Sequence, residues 1–184
     1  MEWASTKDDV DAIKEKLGIS DGALRKIQSE VQSLFDGNRY GFPNIFASKD
    51  DALRFRSTHL AKIDCRVIRL SLPEPFHEEA LAELKPAHED GESGIYRNLK
   101  AGIADENPSR SLGYEILCWD MGGFHSFICN GLEKDYEEKL QLKFNANGFF
   151  DDPDSALKTV EYTRRDEVGA EPGFWAPFRL NQEA

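Results

Sequence analysis

The residues best able to act as nucleophile, base or metal ligand are three cysteines and four histidines. Cys118, His125 and Cys129 fall in one short stretch. A thiol enzyme needs a thiolate with a base in hydrogen-bond reach. His125 and Cys129 are four apart, which on a strand puts them on one face but about 13 Å from each other. Cys118, on the preceding apolar run, could lie closer to His125. Cysteine is among the most buried residue types, and the neighbours here are apolar. Structural, slow-reacting thiols are therefore the expectation. A small hydrolase-type site using His125 with a cysteine or an acid is the alternative. His125 itself reads as a satisfied core or edge histidine, or else as a hydrogen-bonding group in a concave pocket.

Other chemistries find less support. A metal site needs clustered ligands at recurring spacing. His59, His77, His88 and His125 include no i, i+4 pair in one helix, and no C-x-x-C or H-E-x-x-H occurs. His77-Glu78-Glu79 and His88-Glu89-Asp90 read as solvated acidic surface. Neither phosphate-loop glycine pattern is present. Among the many acids, only Glu115 and Asp120, flanking Trp119, have apolar surroundings that would raise a carboxyl pKa. No cofactor is expected.

These residues sit in a segment that predicts a β-hairpin over about 113–130. Tyr114 to Trp119 and Phe124 to Cys129 are apolar, β-favouring runs, and Asp120-Met121-Gly122-Gly123 supplies the turn. Tyr114, Ile116 and Cys118 lie on one face, Leu117 and Trp119 on the other. Two apolar faces imply cover on both, hence a central hairpin. Upstream, Ser5 and Ser20 can cap two helices that end at Gly18 and at Asp36-Gly37-Asn38. They form an N-terminal helical hairpin, residues 1–38, before a domain over 39–184. Ser48 caps a third helix with Ala52, Phe55 and His59 on one side. Cys65 to Leu72 reads as a strand. Phe76, Ala80, Leu81 and Leu84 line an acidic helix. Residues 87–110 are irregular, with a short helix from Tyr96 to Ile103. Beyond the hairpin come a helix over 132–140, an aromatic turn over 144–150, and a last helix opened by Asp152-Pro153. Ala156, Leu157, Val160 and Thr163 form the inner face of that last helix. The aromatic tail Glu171 to Leu180 should pack on the domain. Hairpin-linked strands mixed with helices give an α+β fold with a mostly antiparallel sheet.

The net charge is −11 over 184 residues, distributed unevenly. Residues 1–72 carry 12 basic and 11 acidic side chains, whereas residues 73–92 carry 1 and 7. Nucleic acid is disfavoured as a partner by this balance. A basic protein is favoured, because complementary potentials speed encounter. The candidate binding residues are Glu74, Glu78, Glu79 and Glu83 in the acidic segment, with Trp119, Asp120 and His125 at the hairpin. No run approaches the ~20 apolar residues of a membrane span. Met1-Glu2-Trp3-Ala4-Ser5 does not resemble a secretory leader. With an odd cysteine count, a cytoplasmic location is expected.

Gly113-Tyr114-Glu115-Ile116-Leu117, Gly123-Phe124-His125-Ser126-Phe127-Ile128-Cys129-Asn130 and the closing Gly169-Ala170-Glu171-Pro172-Gly173-Phe174-Trp175 resemble small bacterial proteins of the polymorphic-toxin immunity type. The Ser48-Lys49-Asp50-Asp51-Ala52 helix start followed by a strand is similar too. The resemblance spans about residues 48–178. It implies a non-catalytic protein that binds and blocks a cognate toxin acting in the cytosol, with no catalytic residues to carry over. A structural or scaffold module is the remaining reading.

Overall fold

The computed structural model describes residues 14–36, 46, 48–61, 64–85, 94–102, 110–120 and 123–183. Residues 14–17 are the end of a helix that stops at Gly18, where φ is +62°. Helix α1 (Asp21–Asp36) follows, with the Ser20 hydroxyl accepting from the Ala23 N–H. The order continues as α2 (Lys49–His59), β1 (Ile68–Ser71), a 3₁₀ turn (Glu74–Phe76), α3 (His77–Leu84), α4 (Gly94–Ala101), β2 (Arg110–Asp120) and β3 (Gly123–Ser126). After a second 3₁₀ turn (Phe127–Asn130) come α5 (Glu133–Glu138), α6 (Pro153–Thr163) and β4 (Phe174–Gln182). The expected caps hold: Ser48 accepts from the Asp51 N–H, and Asp152 from the Ser155 N–H. Val10, Ile13 and the side chains of Val31, Leu34 and Phe35 lie outside the described residues, as does the boundary expected near residue 38.

The fold is α+β. One antiparallel sheet runs β1-β4-β2-β3, with helices on both faces. Pleat alternation sorts the core. Ile116, Cys118 and Trp175 face Phe127, Tyr136, Phe150, Ala156 and Val160. Leu117, Trp119, Phe174, Ala176 and Phe178 face Ala80 and Leu84 of α3. The two-faced apolar pattern of β2 is thus explained by cover on both sides. β2 is interior, while β3 is the sheet's edge. Its interior neighbour on the other side is β4, supplied by the aromatic tail.

Pro177 in an interior strand is at first sight out of place, because proline cannot donate to a ladder. The register accounts for it. β1 pairs with β4 only from Ser71↔Arg179 to Ile68↔Gln182, so Phe174 to Phe178 have β2 alone as neighbour. The missing N–H of Pro177 falls on the side that β1 does not reach. At the far end of β2, Gly113 has φ +125°, and an added Cβ would stand 2.6 Å from the Phe150 carbonyl oxygen. The close approach lets Tyr114 and Phe150 exchange N–H···O bonds of 2.8 and 2.9 Å. The aromatic turn is thereby pinned to β2.

Three local readings change. The second hairpin strand ends at Ser126 rather than Cys129. The Ser126 hydroxyl accepts from the Ile128 N–H, and Gly131, with φ +65°, closes the resulting 3₁₀ turn. That turn breaks the alternation, so Phe127 is buried while Ile128 and Cys129 face outward. The thiols are therefore not uniformly sequestered: Cys118 is buried, Cys65 half-buried and Cys129 exposed. On α6 the inner face is Ala156, Thr159, Val160, Tyr162 and Thr163, with Leu157 39 % exposed.

Candidate functional site

Helix α3 is built to show acid on one side. Ala80 and Leu84, one turn apart, are buried against the sheet. That register turns Glu78, Glu79 and Glu83 to the surface, with Glu74 exposed in the 3₁₀ turn just before. Glu78 and Glu79 occupy the first helical turn, where the macrodipole favours negative charge. The His77 Nε2–H donates to the Leu72 carbonyl at 2.8 Å, so this imidazole ties the helix to the end of β1.

The four acids are not equivalent. Glu79 lies 3.1 Å from the Arg164 guanidinium. Arg164 in turn donates from Nε and Nη2 to the Trp175 carbonyl and lies over the rings of Phe76 and Phe174. Glu79 is thus engaged within the protein. Nothing in the spacing of Arg164 signalled this, because the two residues are distant in sequence.

At the hairpin the expected residues separate. Trp119 is 8 % exposed, with its ring 5.4 Å from that of Phe124, and belongs to the α3-side core. Asp120 pairs with Gly123 at the end of the ladder, and its side chain lies outside the described residues. His125 stands directly across from Cys118. Cys118 is buried, whereas the His125 side chain is 41 % exposed, with Nδ1 4.0 Å from Glu171 Oε2. Glu171 is fixed by Asn130, whose Oδ1 accepts from the Glu171 N–H at 3.0 Å. Cys129 has left the strand before it could share a face with His125.

Glu115 and Asp120 do not form an acid pair. Five residues apart on one extended strand, their backbones stand about 17 Å apart. Glu115 nonetheless has a perturbed carboxyl: burial pushes its pKa up, partly offset by the Ser126 hydroxyl that hydrogen-bonds it. A second polar cluster, which sequence reasoning did not single out, lies at the other end of the sheet. The Glu183 side chain, 7 % exposed, meets both Lys49 of α2 and Arg69 of β1. Arg69 pairs in register with Asn181, whose amide is buried and has no hydrogen-bond partner among the described residues.

Among the described residues no group of three histidine, cysteine, aspartate or glutamate side chains is arranged to hold a metal ion. No described helix is long and apolar enough to cross a membrane. No family model matches the chain, and neither a curated protein nor a solved structure matches it.

Proposed function

We propose that this chain is a non-catalytic protein-binding domain, an immunity protein that neutralises a cytosol-acting bacterial toxin by stoichiometric contact with a basic surface. The observation that carries the reading is the division of α3. Ala80 and Leu84 anchor the helix, and Glu78 and Glu83, with Glu74 beside them, face outward. An acidic face on a rigid, packed helix steers a basic partner without having to order itself first. The partner we have in mind is one that itself handles a polyanion, such as a nuclease. The test is association of the purified chain with the product of the adjacent reading frame, measured by surface plasmon resonance over a salt series. Association should slow as salt rises, with dissociation changing less. Glu78→Lys with Glu83→Lys should slow association by about tenfold or more, because charge-steered encounter spans 10–10³ in rate. Unchanged association would leave α3 as solvated surface.

One observation favours the hydrolase-type alternative, the placement of Cys118 across from His125. Thiol reactivity discriminates. Under the binding reading, iodoacetamide labels Cys129 at an ordinary thiol rate in the native protein, and Cys118 only after unfolding. Fast native labelling of Cys118 at neutral pH would mark an activated thiolate and reverse the ranking.

A further inference from the structure

Two asparagines of the chain are followed directly by glycine, Asn130 and Asn147. Asparagine is among the thermolabile residues. Before glycine it is most prone to lose its amide, because a residue without a side chain leaves its main-chain nitrogen open to approach the asparagine Cγ. By sequence the two pairs are equivalent. The fold makes them different.

Asn147 lies in the aromatic turn, where the Gly148 N–H donates to the Asn145 carbonyl at 2.9 Å. Asn145 is the frame of that turn. Its Oδ1 accepts from the Asn147 N–H at 2.9 Å and the Phe149 N–H at 3.2 Å. Its Nδ2 donates to the Leu112 carbonyl and to Asp151. The peptide between Asn147 and Gly148 stands outside this frame. Among the described residues its one hydrogen bond is that from Gly148. The Asn147 side chain is exposed and makes none among the described residues. Gly148 has φ +81°, and apart from its chain neighbours no atom lies within 4 Å of the position a Cβ would take. This peptide can turn over once a single bond opens, with Asn145 still holding both flanks.

Asn130 is fastened on every side. Its Oδ1 accepts from the Glu171 N–H at 3.0 Å, and its Nδ2 donates to Glu171 Oε2 at 3.4 Å. Glu171 is itself anchored, because its carbonyl accepts from Nε1 of the buried Trp175 at 2.8 Å. The Gly131 N–H is shared between the Ile128 and Phe127 carbonyls. Bringing the Gly131 nitrogen onto Cγ of Asn130 would break all of these contacts to Asn130 and Gly131 together.

We propose that Asn147 is a site of spontaneous deamidation in the folded protein, and that the fold protects Asn130. The Gly148 nitrogen attacks Cγ of Asn147 and gives up its proton as the new C–N bond forms. The Cγ–Nδ2 bond breaks, ammonia leaves, and a cyclic succinimide remains. Water then adds to either ring carbonyl. Opening at Cγ gives aspartate, and opening at the main-chain carbonyl gives isoaspartate, whose main chain runs through the former side chain. Both products place a carboxylate where a neutral amide stood, and the second adds a methylene to the turn.

The test is incubation of the full chain in mildly alkaline buffer, native and in guanidinium chloride, with peptide mass spectrometry to follow the amide-to-acid change at each asparagine. In denaturant both sites should convert at similar rates. In the native protein Asn147 should convert about tenfold or more faster than Asn130, whose additional hydrogen bonds each slow the reaction about two- to tenfold. The native rate at Asn147 should rise with pH, because the attacking nitrogen must lose its proton. Asn147→Gln, whose longer side chain closes the corresponding ring far more slowly, should abolish the native reaction. Native conversion at Asn147 no faster than at Asn130 would overturn the proposal. The same preference for Asn147 in denaturant would assign it to the sequence rather than the fold, and would overturn it as well.

Discussion

Trp119 shows how a residue's chemistry and its placement can point in different directions. An aromatic beside two acids suggests a binding surface, yet its ring packs with Leu117, Phe174 and Phe178 beneath α3. Trp119→Ala should cost about 3–5 kcal/mol in urea unfolding, the range for emptying a large aromatic site. Buried polar groups divide in the same way. The Thr163 hydroxyl gives its proton to the Thr159 carbonyl at 2.7 Å, so the Tyr136 hydroxyl, 2.5 Å away, is the donor to Thr163 Oγ1. Thr159 donates to the Ala156 carbonyl, and the whole chain of bonds is satisfied. Asn181 is not: its amide is buried without a partner among the described residues. Leaving a buried polar group unbonded costs about 1–3 kcal/mol, and an apolar replacement of similar shape removes that cost. Asn181→Leu should therefore raise the urea midpoint, and a marked loss of stability would show that the amide is bonded in solution.

Among the elements, those whose signals are local were legible in the sequence. Ser48 and Asp152 announce α2 and α6, and the i, i+4 pair Ala80 and Leu84 orients α3 with its acids outward. Elements that depend on distant partners were not. β4 reads as a packed tail because Pro172, Gly173 and Pro177 argue against an interior strand. It becomes one because β1 is too short to reach Pro177. β3 ends early because Ser126 caps a turn, a choice that depends on Phe127 reaching the core. The distinct role of Glu79 depends on Arg164, far along the chain. This separates two charge reversals that the sequence treats as equal. Glu78→Lys with Glu83→Lys should leave the urea midpoint within about 0.5 kcal/mol of wild type, as exposed helix positions allow. Glu79→Lys should be the more destabilising, since it sets a cation against the guanidinium that covers the Trp175 carbonyl.

On the scale of the whole molecule, charge works against the fold at Glu115 and for it at several other described residues. Asp135 is held below the usual aspartate range by its hydrogen bond from Lys139, Asp21 by Lys14, and Asp152 by the Ser155 N–H. Each of these contributes stability that is present above the unfolded aspartate pKa, near about 3.9, and is lost as pH falls through the lowered folded value. Glu115 has the opposite sign. Burial raises its folded pKa above the unfolded one, so between the two values the folded chain binds more protons than the unfolded chain. Its contribution is favourable below the unfolded glutamate value and is lost as pH rises through the raised folded value. Sequence alternation placed Glu115 on the Trp119 face but could not show that Ser126 would be the side chain bonding it. Glu115→Gln keeps the shape and removes the titration. The wild type should therefore lose stability relative to Glu115→Gln as pH climbs from acid toward neutral, with the difference level at either end. Urea unfolding of both proteins across that range measures it, and parallel curves would mean the carboxylate is already well solvated.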